Sequence, residues 1–304
     1  MISWGLMISW GLMIWCGLIG ASCVHAQVTT PDTTDTRSLA VPNPDVDPDV
    51  TDDGGLEAEM EAYRQELRKI ADKYGAPPRS KKLTKLPDLW ASVADKRVYI
   101  DGYVTMRRGP LEMFACPVGS KEHESIVALF AKSSEVHTAL LAIGTQRGTP
   151  VRWDPDFLPP TGQEVLVWVT WRDASGKFHV ADARSWMQNM ETNQPMKPTW
   201  VFAGSSFWKD PEDGVEYYTA DGGDMICVSN FSTAMLDVPF DSSANTGNLL
   251  FAPITDVIPE ENTSVRLVLV PQPIPTDNDD TPEAIERKTK AAQPPTETML
   301  PPAS

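Results

Sequence analysis

The chain has 304 residues, 27 of them proline, and its 42 acidic against 26 basic side chains give a formal net charge of -16. That balance excludes a nucleic-acid binder, whose phosphate contacts need clustered Lys and Arg. A multi-span membrane protein is excluded as well, because only one long apolar run exists.

That run comes first. Residues 1–24 carry no charged side chain, which predicts an export signal or a membrane anchor. Small residues at Val24-His25-Ala26 place a cleavage site after Ala26, ahead of an uncleaved anchor and of a lipoprotein reading through Gly20-Ala21-Ser22-Cys23. The expected location is therefore the periplasm, cell envelope or exterior, with membrane contact only through an uncleaved N-terminal segment. The hexamer repeat MISWGL, MISWGL, MIWCGL carries no structural meaning. Residues 27–55 hold seven Asp against one Arg among repeated Pro and Thr. Such a stretch cannot bury enough surface to offset chain entropy and is expected to be a disordered linker. Asp49, Thr51, Asp53 and Gly54 mimic a calcium loop, but its twelfth place is Met60 where a bidentate Glu is needed.

Leu56, Met60, Tyr63, Leu67, Ile70 and Tyr74 follow a 4-3-4-3-4 spacing that predicts an amphipathic helix over 56–75, stopped by Gly75 and Pro77. A helix laid on its own domain is favoured over a coiled coil. Residues 76–96 hold Arg79, Lys81, Lys82 and Lys85 and read as a basic linker. From residue 97 onward the pattern is strand-like. Arg97 to Thr105 and Leu111 to Cys116 flank a hairpin-like RRGP connection, and Ser125 to Phe130 is a short apolar strand. Ser133 or Ser134 is placed to cap a helix that ends at Gly144. Seven short strands follow, within 164–171, 177–183, 199–203, 215–219, 225–229, 249–254 and 265–270, with Asp221-Gly222-Gly223-Asp224 read as a hairpin turn. Residues 272–304 are again Pro-rich and are expected to form a disordered tail. The fold class is α+β, a strand-dominated single domain over 97–271 with one N-terminal amphipathic helix, one short internal helix and disordered flanks.

Chemistry-bearing residues are sparse. No phosphate-binding glycine loop, zinc-protease helix or nucleophile elbow occurs. The densest group is Glu112, Cys116, His123 and Glu124, joined by His137 on the following helix. Cys, His and carboxylate suit zinc or copper, and a Cys with a His can form an activated nucleophile, so Cys116, His123 and His137 are the candidate metal ligands. The bland reading scatters them over separate elements. Cys16 and Cys23 leave with the signal, and the remaining Cys116 and Cys227 read as buried thiols rather than one disulfide. Asn230 and Asn262 fit the glycosylation sequon. Trp153, Trp168, Trp171, Trp186, Trp200 and Trp208 read as core packing ahead of a carbohydrate or peptide groove.

The segments LEMFACPVGSKEHESIVALFAKSSEVHTALLAIGTQRGTPVRW, PPTGQEVLVWVTWRDASGK, WVFAGSSFW and MICVSNFSTAMLD together resemble the YdjY-like domain family, over about residues 97–240. The resemblance implies an exported or envelope-associated bacterial domain with no established activity. It carries over no cofactor, since this chain lacks a cysteine cluster. The expectation is a non-catalytic module that binds an unknown protein or small-molecule ligand without a cofactor. The alternative is a metal-binding or thiol-dependent enzyme centred on Glu112, Cys116, His123 and Glu124.

Overall fold

The computed structural model describes residues 62–63, 65–67, 69–83, 88–275 and 279–303. The expected signal, the acidic linker and the first turns of the N-terminal helix lie outside them. The described positions between 62 and 71 are helical, and further helices span Ser133–Ala142 and Pro282–Ala291. The strands in chain order are β1 Lys81–Lys82, β2 Leu89–Ser92, β3 Arg97–Val104, β4 Met113–Pro117, β5 Ser125–Leu129, β6 Glu164–Arg172, β7 Phe178–Asp182, β8 Met187–Asn189, β9 Trp200–Phe202, β10 Phe207–Lys209, β11 Glu216–Tyr218, β12 Ile226–Cys227, β13 Leu236–Asp237, β14 Phe251–Pro253 and β15 Ser264–Pro271.

Eight of these close a barrel. β3, β15, β6, β9, β13, β12, β4 and β5 each pair with the next, and β5 returns to β3. Closure needs two long strands to divide an edge. β3 gives residues 97–100 to β2 and residues 102–104 to β5, while β6 gives its start to β9 and its end to β7. Gly102 sits where β3 changes partner. A Cβ there would lie 2.1 Å from the Ala128 carbonyl oxygen, so only glycine admits this approach.

β15 shows how the two faces are filled. Val265, Leu267 and Leu269 join Val98, Ile100, Val165, Val167 and Val169 in the main core, which the period of two places inside the barrel. Val268 and Val270 turn outward against Tyr99, Leu166 and Trp90, with Ala291 and Met299 packed over them. The continuous apolar run of β15 thus reflects a strand covered on both faces.

Between those outward residues lies an ion pair. Arg266 faces Asp101 across the β15–β3 ladder, its Nε and Nη2 donating to the two carboxylate oxygens at 2.5 and 2.8 Å. Arg266 is fully buried. Its Nη1 donates to the Met299 carbonyl at 3.0 Å, and the guanidinium lies 4.6 Å from the Trp90 ring centre. The C-terminal segment therefore completes the hydrogen bonding of a buried cation.

Several expectations change accordingly. The stretch from 272 is not simply a disordered tail. Its described part forms the Pro282–Ala291 helix, with Thr281 accepting from the Ala284 amide, and then lays the buried Leu300 on the barrel. The basic stretch 76–96 contains β1 and β2 rather than a plain linker. β3 and β4 form no hairpin, because both edges of β3 are taken by β15, β2 and β5. Asp221 to Asp224 is no hairpin turn, since β11 pairs with β10 and β12 with β13 and β4. Neither Ser133 nor Ser134 caps its own helix. Lys132 occupies the cap position, and the Ser134 amide and hydroxyl donate to Asp221 at 2.8 Å each. Trp186 and Trp200 are core residues, whereas Trp153 and Trp208 are exposed. Asn230 is sealed and hydrogen-bonded to Val238 and Ser242, whereas Asn262 is exposed.

Removing one partner of a buried pair strands the other charge. Asp101→Ala is expected to lower unfolding free energy by about 3–5 kcal/mol, measured by urea denaturation. The double variant Asp101→Ala/Arg266→Met is expected to lose less than the sum of the single losses.

Candidate functional site

Two of the five candidate residues, Glu112 and Glu124, meet, and a third, His123, touches Glu124 from the solvent side. Glu112 enters β4, where its carbonyl accepts from the Val228 and Ser229 amides. Glu124 ends the short 3₁₀ turn Glu122–Glu124. The Glu124 carboxyl lies beside that of Glu112. Burial, followed by this neighbouring carboxyl, pushes Glu112 up to about 7. Lys121 sits between this pair and Asp224, its Nζ 3.0 Å from Asp224 Oδ1 and 3.8 Å from Glu112 Oε2. Thr233 donates to the other Asp224 oxygen, and the ammonium lies 4.6 Å from the Phe231 ring centre. Gly223, at φ 132°, leaves room for the lysine stem, since a Cβ there would approach Lys121 Cγ to 2.6 Å.

The other candidates go elsewhere. Cys116 is a free, fully buried thiol on β4, as Cys227 is on β12. Burial pushes Cys116 up to about 11 and Cys227 well above its ordinary value. Both are therefore held as thiols, the opposite of the thiolate that nucleophilic or ligand chemistry requires. His123 projects into solvent with its side chain 78 % exposed, 3.1 Å from Glu124. His137 is buried edge-on against Phe202 and Tyr218, with Nδ1 2.7 Å from the Tyr218 hydroxyl. Burial, and then the Arg147 charge, lowers its pKa. Among the described residues no group of three His, Cys, Asp or Glu side chains is placed to hold a metal ion.

A second site draws one residue, Asp88, from the stretch that the sequence presents as a linker. A cavity of about 450 Å³ opens between the helical positions Leu67 and Ala71 and the barrel. Val118, Leu129, Phe130 and Ala131 give it an apolar wall. Its size falls in the range of small-molecule sites. Asp88 lines it, and the Asp88 carbonyl accepts from the Asp101 amide at 2.9 Å, which ties the cavity to the buried ion pair. The helix is held over the cavity by neighbouring contacts. Tyr63 donates to Glu122 at 3.4 Å, and Ser264 donates to the Ile70 carbonyl at 3.3 Å. Glu122 in turn accepts from Tyr103 at 3.0 Å and from the Gly119 amide at 2.6 Å. Lys121 and Asp88 were missed in sequence reasoning, and Asp224 was read only as part of a turn. Only the PDLW run, a carboxylate set against large apolar residues after the basic cluster, could have singled out Asp88.

Fold and sites together define a closed eight-stranded barrel domain with an apolar side cavity and a separate carboxylate–lysine cluster. The chain belongs to the YdjY domain family, whose sequence profile matches residues 89–270. That match begins at β2, so it takes in part of the segment read as a linker. No curated protein and no solved structure matches the chain.

Two outcomes follow from the burial described above. An aromatic disulfide reagent should leave Cys116 and Cys227 unmodified in the folded protein and modify both after denaturation. Lys121→Met should lower Tm by on the order of 5 °C at pH 8 and by less at pH 5. Glu112 binds a proton in the folded state between its ordinary range and about pH 7, so at pH 5 the cluster has one negative charge fewer for the lysine to offset. Thermal melts of wild type and variant at the two pH values check this.

Proposed function

We propose that this protein is an exported, non-catalytic binding module of the cell envelope, and that its ligand site is the cavity beneath Leu67 and Ala71. The observation that carries this reading is the cavity itself, about 450 Å³ with an apolar wall. A solvent-filled apolar concavity of this size is unfavourable, and an apolar ligand relieves it by removing that surface from water. Closed barrels suit such a task, because a rigid wall on one side loses no order when a ligand docks. Export is supported by the uncharged run 1–24 and the small residues before Gln27, followed by an acidic, proline-rich stretch that would act as a spacer.

The site is tested with N-phenyl-1-naphthylamine, a neutral apolar dye that brightens in apolar surroundings. The expected outcome is saturable binding with one dye per chain. Ala71→Trp, which places an indole in the cavity, should abolish the binding while preserving Tm. Unchanged dye binding in that variant would overturn the assignment of the site.

A further inference from the structure

We propose that the ligand of this cavity is an amphiphile with an apolar body and a single cationic amine, and that Asp88 is the counter-ion of that amine. The inference rests on the binding reading above and adds the chemical class of the ligand.

Asp88 is only 3 % exposed. Its Oδ1 is buried with no hydrogen-bond partner. A carboxylate oxygen left bare in this way is costly, and natural proteins rarely keep one without a use for it. The charges that reach Asp88 do not neutralise it. Burial is the largest influence, Asp101 and Asp72 add to it, and Lys82 and Arg266 oppose it more weakly, so that its pKa rises to about 7. Arg266 is already committed in bidentate fashion to Asp101. Among the described residues, the cavity lining holds three carboxylates, Asp72, Asp88 and Glu135, against one ammonium, Lys132. An anionic ligand would add to that excess. A neutral one would leave the Oδ1 demand to a single hydroxyl at most. A primary ammonium brings donors only, three of them, together with the missing charge.

This chemistry sets a pH dependence. The amine pairs with ionised Asp88, so at pH 6, below the Asp88 value in the free protein, binding must also expel a proton. With that value about 7, affinity for the amine should be about tenfold weaker at pH 6 than at pH 8, by proton linkage. A neutral ligand should show no such change.

The test is calorimetric titration of the purified full chain with octylamine, 1-octanol and octanoate, which share one tail and differ in head-group charge. At pH 8, octylamine is expected to bind at least tenfold more tightly than octanol, and octanoate most weakly. Asp88→Asn should erase the preference for the amine while leaving octanol affinity unchanged. If octanol or octanoate matches octylamine in wild type, the cation inference fails and the apolar site stands. Failure of all three to bind overturns both readings. Should Asp88→Asn not fold, the wild-type pH profile decides: a flat octylamine affinity between pH 6 and 8 refutes the role of Asp88.

Discussion

The guanidinium of Arg266, sealed between two strands and a covering segment, is the constraint around which this domain is arranged. A buried cation must be paired and have its remaining donors satisfied. Asp101 provides the charge from β3, the Met299 carbonyl accepts a third hydrogen bond from the C-terminal segment, and Trp90 lays its ring beside the group from β2. Four parts of the chain, far apart in sequence, are thereby fixed to one point. Packing of Val268, Val270, Tyr99 and Leu166 under Met299 contributes area, but apolar burial is non-directional. The bidentate fork is directional, and it specifies how the cover sits on the strands.

The same strand also places the cavity. Because β3 hands its edge from β2 to β5 at Gly102, a step opens beside the barrel wall, and the helical positions Leu67 and Ala71 lie over it. Asp88 lies one hydrogen bond from Asp101, so a carboxylate with one bare oxygen and a fully paired one are neighbours with different fates. One has a guanidinium, and the other has a cavity. The carboxylate–lysine cluster stands on different elements, held by the 3₁₀ turn at Glu122–Glu124 and the loop before β12.

What could be read from the sequence was local. The alternation in EVLVWVTW and the run VRLVLV identify β6 and β15, and Gly144 marks a helix end, as its φ of 87° bears out. Barrel closure was not legible, because it depends on which edges pair, and RRGP looks like any hairpin connection. The Pro282–Ala291 helix did carry signals, with Thr281 at the cap, Pro at the first turn, Glu283 near its start and Lys288 and Lys290 near its end. Its surrounding proline content obscured them. At the candidate site, spacing correctly gathered Glu112 and Glu124 but could not give the direction of Cys116, His123 or His137, since each direction is set by a different neighbour. Asp88 was invisible for a further reason: the residues that share its cavity, Leu67 and Ala71, stand on a different element, and a carboxylate among lysines reads as solvated.

The C-terminal segment returns to residues just past the first helix, where the Gly75 amide donates to the Pro301 carbonyl and the Ala303 amide to the Lys73 carbonyl. These short stretches run antiparallel, bridged at Tyr74 and Pro302. Tension applied through the two ends of the domain would therefore open this seam one bond at a time, as a zipper opens, before any barrel ladder is sheared. The seam lies over the strands that carry Arg266, so mechanical load would first expose the buried charge and only later the core.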